Sequence, residues 1–199
     1  MPSGPLGVFK GLSRSIVDMT RRAQISVVGF NEDSRTKAAR DAAYQVGRAI
    51  AMVGGTVVCG GLGGVMEAAC KGARDAGGNS VGIIPSADSA QVNRYCDVVV
   101  ATGLGRSRDF VVAYSGDAMV VVGGGAGTLI EVAAAYQVER PIAAVKGTGG
   151  VADAWAGRYI DDRRTTVILE GSSPEDAVEK VMLELAKVKT REKRRRGNG

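Results

Sequence analysis

The chain has 199 residues, of which 45% are hydrophobic and 24% charged, a composition that predicts a single globular domain with a sizeable core. It contains no histidine, which excludes Ser-His-Asp and Cys-His nucleophile schemes and histidine-based metal sites. The net charge of +5 arises from residues 187–199, which hold seven Lys/Arg and one acidic residue, so the rest of the chain is nearly neutral. A nucleic-acid-binding protein would need a basic folded face, and none is expected here.

The cysteines indicate the cellular compartment. Cys59, Cys70 and Cys96 are odd in number and include no C-x-x-C pair, so the sequence indicates neither a disulfide framework nor a zinc or other metal site. We interpret them as reduced, buried thiols of a cytoplasmic protein. No apolar run is long enough to span a bilayer and no signal-peptide core is visible, so we expect no membrane association.

Strands and helices are predicted to alternate along most of the chain. Residues 1–23 are expected to form an N-terminal arm, residues 24–186 a single domain, and residues 187–199 a solvated basic tail. Strands are predicted at 25–30, 56–59, 80–84, 97–101, 118–122, 142–145 and 166–169, and helices at 36–53, 65–76, after 102–105, after 123–127 and at 174–189. Segment 147–164 shows no clear pattern, and Trp155 within it is expected to pack rather than stack on a ligand. The alternation predicts an α/β fold, a doubly wound parallel sheet of about seven strands with helices on both faces.

Glycines cluster at the carboxyl ends of four predicted strands. They are Gly29, Gly60, Gly61, Gly63, Gly64, Gly103, Gly105, Gly123, Gly124, Gly125 and Gly127. Ligands of doubly wound sheets bind beyond these strand ends. Glycine also lets the backbone turn tightly and approach a ligand closely. We therefore predict one extended binding cleft along this edge of the sheet.

The segment from Val120 to Glu131 carries the strongest binding signal. A buried strand is followed by four glycines in five positions and then by a helix, whose first N–H groups suit a phosphate. Glu131 is expected in the first turn of this helix. Alternatively, Thr128 and Glu131 form a capping box without any chemical role, although a capping box does not explain the glycines. The sequence therefore predicts phosphate binding, and leaves both catalysis and capping open for Glu131.

Two common nucleotide signatures are absent. Met66 stands where a G-x-G-x-x-G fingerprint requires its last glycine, and no G-x-x-x-x-G-K-[ST] motif occurs. A redox dinucleotide and a P-loop nucleotide are therefore disfavoured.

Arg108 is predicted in the first turn of a helix, where a cation opposes the helix dipole. A bound anion in the same cleft as Glu131 would explain it; the alternative is a surface arginine offset by Asp109.

Three segments together resemble a known family. They are Gly60-Gly61-x-Gly63-Gly64-Val65-Met66-Glu67-Ala68, Thr102-Gly103-Leu104-Gly105-x-x-Arg108-Asp109 and Gly123-Gly124-Gly125-x-Gly127-Thr128-x-x-Glu131. In this order and spacing they resemble the molybdenum cofactor carrier-like proteins and their relatives, the LONELY GUY phosphoribohydrolases, which are often mislabelled lysine decarboxylases. The second segment points to the carrier-like branch. The resemblance covers residues 25–145 and implies a Rossmann-like fold and a homodimer or higher homo-oligomer.

In the hydrolase branch, the resemblance implies that Arg108 and Glu131 are a catalytic pair that releases base and ribose 5-phosphate from a nucleoside 5′-monophosphate without a cofactor. The glycines would bind the nucleotide and its phosphate together with Met66, Glu67, Asp109 and Thr128. This hydrolase is the main expectation. The chain departs from the hydrolase pattern, because Gly123 stands where those enzymes carry proline and the Arg108 segment is not M-x-x-R-K.

The alternative is a non-catalytic carrier or sensor, with molybdenum cofactor or another pterin or nucleotide phosphate as cargo. Lysine decarboxylation is rejected because it needs a Schiff-base lysine for pyridoxal phosphate, and neither Lys71 nor Lys146 lies in such a context.

Overall fold

A computed structural model describes residues 21–31, 37–163 and 165–197. Within them, seven parallel strands form one sheet in the order β4-β3-β2-β1-β5-β6-β7. The strands are β1 Gln24–Gly29, β2 Thr56–Cys59, β3 Asn79–Ile84, β4 Val98–Ala101, β5 Ala118–Val122, β6 Ile142–Val145 and β7 Ile168–Gly171. The helices are α1 Lys37–Met52, α2 Val65–Asp75, α3 Arg108–Ser115, α4 Ala126–Gln137, α5 Gly150–Trp155 and α6 Pro174–Gly197.

Two apolar layers cover the sheet because side chains alternate between its faces. Ile25 and Val27 of β1 pack with α1, α2 and α6, whereas Val28 packs with α3, α4 and α5. Every residue of β5 is buried, as expected for a central parallel strand with helices on both faces. The predicted doubly wound, Rossmann-like α/β fold is confirmed.

The chain changes direction across the sheet between β1 and β5. From β1 the strand order runs outward to β2, β3 and β4 on one side and to β5, β6 and β7 on the other. Gly29 at the end of β1 lies beside Val122 at the end of β5. A crevice opens at such a switch point, beyond the carboxyl ends of the two strands.

Most predicted element boundaries agree with the structure to within two residues. The helix expected after 102–105 instead starts with a separate 3₁₀ turn, Gly105–Ser107, and α3 begins only at Arg108. Segment 147–164 contains α5, and Trp155 packs against the second core layer. The predicted arm at residues 1–20, the predicted helix start at Thr36 and the last two residues lie outside the described residues.

The C-terminal helix α6 is longer than predicted. It continues past the expected end at Lys189 to Gly197, so most of the basic segment is helical rather than frayed. Its described side chains from Arg191 to Arg194 are exposed. Among the described helices, none combines the length and apolarity needed to cross a membrane.

Candidate functional site

A cleft of about 490 Å³ lies at the switch point, beyond the carboxyl ends of β1 and β5. It is bounded by the segments that follow β1, β2 and β3, by the start of α3 and by the start of α4. Its lining comprises Val27, Val28, Gly29, Phe30, Asn31, Leu62, Met66, Pro85, Gly105, Arg106, Arg108, Asp109, Gly125, Gly127, Thr128 and Glu131.

Arg108 enters the cleft from the first residue of α3. Its Nη1 lies 2.8 Å from Oδ1 of Asp109 and 3.6 Å from Oε1 of Glu131. The residue is only 8% exposed, so the surface position in the alternative interpretation is wrong, whereas its ion pair with Asp109 is present. Gly60 makes room for the guanidinium, because a Cβ at Gly60 would lie 2.6 Å from both terminal nitrogens. Within the described part of the chain, Nε of Arg108 has no hydrogen-bond partner.

Glu131 is a buried carboxyl group, 7% exposed, in the second turn of α4. Burial is the main cause that raises its pKa to about 8, the negative charge of Asp109 raises it further, and Arg108 opposes both effects. At neutral pH this carboxyl is therefore mostly protonated, so it can donate a hydrogen bond or a proton to a ligand.

The capping-box interpretation of Thr128 and Glu131 is wrong. Helix α4 begins at Ala126 with Gly125 as its N-cap residue, so Thr128 lies inside the first turn and Glu131 lies beyond it. The Thr128 hydroxyl instead donates to the carbonyl oxygen of Gly29 at 3.3 Å. This bond joins the start of α4 to the end of β1 across the cleft floor.

The start of α4 offers backbone N–H groups to the cleft. The first N–H groups of a helix have no carbonyl partner within it, and they carry a partial positive charge. Gly125 and Gly127 are exposed, and a Cβ at Gly125 would meet nothing within 4 Å. Arg106 is exposed and lines the same cleft, so the cleft offers both a helix terminus and a guanidinium to an anion.

Nine of the predicted site residues line the cleft: Gly29, Met66, Gly105, Arg108, Asp109, Gly125, Gly127, Thr128 and Glu131. Eight do not: Gly60, Gly61, Gly63, Gly64, Glu67, Gly103, Gly123 and Gly124.

Several of these other glycines shape the backbone around the cleft. Gly64 adopts a φ of 61° at the N-cap of α2, and a Cβ there would lie 2.4 Å from the carbonyl oxygen of Phe30. Gly123 adopts a φ of 63° against the Phe30 ring, and its N–H donates to the Thr148 hydroxyl. Glu67 instead lies 4.0 Å from Nε of Arg94, outside the cleft.

The sequence analysis missed the apolar wall and two polar groups. Phe30, Leu62, Met66 and Pro85 line the cleft with apolar surface, and of these only Met66 was predicted as a site residue. Asn31 and Arg106 add an amide and a cation. Their positions in the sequence could have indicated that these residues line the cleft, because each lies within or close to a glycine cluster or at the end of a strand. Residue type alone carried no such signal.

A model of the SLOG cluster4 family matches residues 22–178. An uncharacterised protein of Archaeoglobus fulgidus is 41% identical over 124 residues, which cover 62% of this chain and 80% of that protein.

Solved structures give the same relationship. TM1055, a structural-genomics target, is 36% identical with a TM-score of 0.73, and the match covers 79% of this chain and 96% of that one. The molybdenum cofactor binding protein of the phototrophic bacterium Rippkaea orientalis is 30% identical with a TM-score of 0.70, covering 84% and 99% of the two chains. The Moco carrier protein of Chlamydomonas reinhardtii is 31% identical with a TM-score of 0.72, also covering 84% and 99%. This chain belongs to the SLOG cluster4 family, and the predicted resemblance to the molybdenum cofactor carrier-like proteins is confirmed.

Proposed function

We propose that this protein is a cytoplasmic carrier that binds molybdenum cofactor, or a closely similar phosphorylated pterin, in the cleft beyond the carboxyl ends of β1 and β5. One observation carries the proposal: an apolar wall, the N-terminus of helix α4 and the exposed cation Arg106 all line the same cleft. The likeness to two proteins whose names include molybdenum cofactor supports it. The three free cysteines fit a reducing compartment.

The phosphate is proposed to bind at the start of α4. The exposed backbone of Gly125 and Gly127 permits close approach to the N–H groups, and Arg106 supplies a positive charge at the rim. Protonated Glu131 adds no negative charge to oppose the ligand, because its pKa is about 8. Asp109 also lines the cleft, but its Oδ1 lies 2.8 Å from Nη1 of Arg108, which offsets its charge, so this end of the cleft accepts an anion at neutral pH.

The flat ring system is proposed to lie against the apolar wall. Phe30, Leu62, Met66 and Pro85 provide this surface, and Asn31 offers an amide at its edge. Glu131 can donate a hydrogen bond to a ring nitrogen or carbonyl oxygen. The cleft volume of about 490 Å³ falls within the usual range for small-molecule sites.

A binding assay with Gly125→Val tests this proposal. Valine fits the backbone there, since Gly125 has a φ of −118° and open space around its Cβ position, yet its side chain blocks approach to the α4 N-terminus. Molybdenum cofactor would be incubated with the protein, and retained pterin would be measured by fluorescence after oxidation and gel filtration. We expect binding to fall at least about tenfold, the equivalent of about 1.4 kcal/mol.

The matched control is Arg158→Ala, which removes an exposed residue that does not line the cleft and should leave binding unchanged. Retention of pterin by Gly125→Val at the wild-type level, or no retention by the wild type, would contradict the proposal.

Hydrolysis of a nucleoside 5′-monophosphate is a second candidate, favoured by the state of Glu131. A buried, protonated carboxyl 3.6 Å from Arg108 is an arrangement suited to general-acid catalysis at a glycosidic bond. The test is release of free base from a panel of nucleoside 5′-monophosphates by wild type and Glu131→Gln. Base release by the wild type alone supports the enzyme. No release from folded protein that still binds pterin supports the carrier.

We further propose that the chain forms a homodimer through the outer surface of α3 and α4. Phe110 and Tyr114 of α3 are exposed with ring centroids 6.2 Å apart, and Leu129 and Ile130 are exposed on α4, the helix that packs against α3. Sedimentation velocity should give a dimer for wild type and a monomer for Ile130→Glu. Leu183→Glu on α6 alters an equally exposed apolar residue and should leave the dimer intact.

A further inference from the structure

All three cysteines of the chain converge at one point in the structure. Cys59 ends β2, Cys70 lies in the middle of α2, and Cys96 precedes β4. The Sγ atom of Cys70 lies 3.4 Å from those of both Cys59 and Cys96, and all three sulfur atoms lie within 4.8 Å of one another. These thiols are free, and three separate elements of the fold are needed to bring them together.

N–H donors surround the sulfur atoms. The backbone N–H of Gly61 donates to Sγ of Cys59 at 3.4 Å, and Nδ2 of Asn93 lies 3.4 Å from Sγ of Cys96 and 4.0 Å from Sγ of Cys70. Donors in this arrangement stabilise negative charge on sulfur.

We propose that Cys59, Cys70 and Cys96 form a three-thiolate site for one thiophilic metal ion, and that Cu(I) is the ion that fits it best. A metal–sulfur bond of about 2.3 Å in a trigonal plane places the sulfurs roughly 4 Å apart. The three thiols lie close to that spacing, so small side-chain rotations suffice. Binding breaks the three S–H bonds, releases their protons into solvent and forms three metal–sulfur bonds.

The ligand atoms that the site offers distinguish between candidate metal ions. The chain has no histidine, and no carboxylate of the described residues joins the three sulfurs within the same span. Zn(II) in structural sites takes four ligands, whereas Cu(I) is a soft ion that three thiolates satisfy. Cys59 and Cys70 are buried, but Cys96 is half-buried, so an ion can enter from the Cys96 side.

This site lies beside the cleft but is distinct from it. Leu62 and Met66 pack against the cysteines and also line the cleft, so they form the wall between the two. No cysteine lines the cleft. Metal binding can therefore be measured without the proposed pterin ligand.

The test is an anaerobic titration of the reduced full-length protein with Cu(I) in competition with a chromophoric Cu(I) chelator. We expect one equivalent of Cu(I) to be retained, with near-ultraviolet absorption from thiolate-to-copper charge transfer. Cys96→Ser should lower the affinity at least about 100-fold, the effect of losing one of three ligands. Tyr95→Phe is the matched control, because it alters the adjacent side chain, keeps all three sulfurs and should bind as the wild type does.

X-ray absorption on copper-loaded wild type provides a measurement that needs no variant, and three sulfur ligands per copper are expected. A parallel titration with Zn(II) and a zinc chelator distinguishes the metals. One equivalent of Zn(II) without Cu(I) would overturn the copper assignment. Retention of neither metal, or equal Cu(I) affinity in Cys96→Ser, would overturn the site itself.

Discussion

Burial gives the Glu131 carboxyl group a pKa well above the usual value for glutamate. The unfolded chain has the ordinary carboxyl pKa of 4.5, whereas the folded protein has a pKa of about 8. Between these two pH values the folded state keeps a proton that the unfolded state has lost, so rising pH favours unfolding. The contribution of Glu131 to stability is therefore fully present below pH 4.5 and is lost as pH rises to about 8.

The first prediction compares wild type with Glu131→Gln, which has no titrating carboxyl. Relative to this variant, the wild type should lose free energy of unfolding between about pH 4.5 and about pH 8, at up to about 1.4 kcal/mol per pH unit and a few kcal/mol in total. Urea unfolding of both proteins across this range measures the difference. Parallel curves of unfolding free energy against pH for the two proteins would show that burial does not shift the pKa of this carboxyl group.

The second prediction concerns Gly60→Ala. Gly60 is not in the left-handed region, so alanine fits its backbone, but the new Cβ would lie 2.6 Å from both Nη atoms of Arg108. The flexible guanidinium should move rather than the backbone. Because Arg108 lines the cleft, we expect affinity for the proposed pterin ligand to fall about tenfold, the equivalent of about 1.4 kcal/mol, with little change in the urea midpoint.

A double-mutant cycle separates the effect of Gly60→Ala on Arg108 from other effects. If Gly60→Ala acts by displacing Arg108, adding it to Arg108→Ala should cause no further loss of affinity. Additive losses would mean that Gly60 contributes separately from Arg108.

Sequence reasoning correctly predicted contacts that follow from the position of a residue along the chain. It failed for contacts that depend on how elements pack. Arg108 and Glu131 follow strand ends on one edge of the sheet, so their meeting in one cleft could be predicted. The absence of the capping box could not be predicted, because it depends on where α4 begins and on a hydrogen bond from Thr128 to Gly29. The cysteine cluster could not either, because it depends on how α2 and the loop before β4 pack.

At the scale of elements, local patterns predicted the strands well because each contains a short apolar run and ends within two residues of a glycine or proline. The six-residue helix α5 was missed because it is too short to show a helical period. The end of α6 was placed too early because its charged residues were interpreted as a solvated tail. Lysine and arginine are good helix formers, and α6 carries them to Gly197.

The third prediction tests the close crossing of α1 and α2. A Cβ at Gly47 would lie 2.0 Å from the carbonyl oxygen of Ala69, which is backbone and cannot rotate away. Alanine is the better helix former by about 1 kcal/mol, but the clash should outweigh this gain. We expect Gly47→Ala to lower the free energy of unfolding by about 1–3 kcal/mol in urea.

The matched control for Gly47→Ala is Gly127→Ala on α4. A Cβ at Gly127 would meet its nearest neighbour at 3.8 Å, so this substitution should leave stability unchanged or slightly raised. Similar effects of the two substitutions would argue against close helix packing as the cause.

At the scale of the whole molecule, a stabilising network around Asp117 lies at the opposite end of the sheet from the cleft. Asp117, directly before β5, is buried, and both terminal nitrogens of Arg21 donate to it at 2.8 Å. It also accepts the backbone N–H of Gln24 at 2.9 Å, and Nζ of Lys189 lies 3.9 Å away. One carboxylate thus joins the start of β1, the start of β5 and the far part of α6. The cleft lies at the carboxyl end of the same strands.

The fourth prediction follows from this separation. Asp117→Ala removes the ion pair and leaves the buried N–H of Gln24 without its acceptor, whereas Asp117→Asn keeps an acceptor oxygen. We expect Asp117→Asn to lower the free energy of unfolding by about 1–2 kcal/mol and Asp117→Ala by more. Because the Arg21 side chain is half-exposed, added salt should reduce the effect of Asp117→Asn.

Affinity for the proposed pterin ligand should stay at the wild-type value in both Asp117 variants under conditions where they are folded. A loss of affinity as large as the loss of stability would mean that the amino end of the sheet is coupled to the cleft, and the two ends would then have to be treated as one cooperative unit.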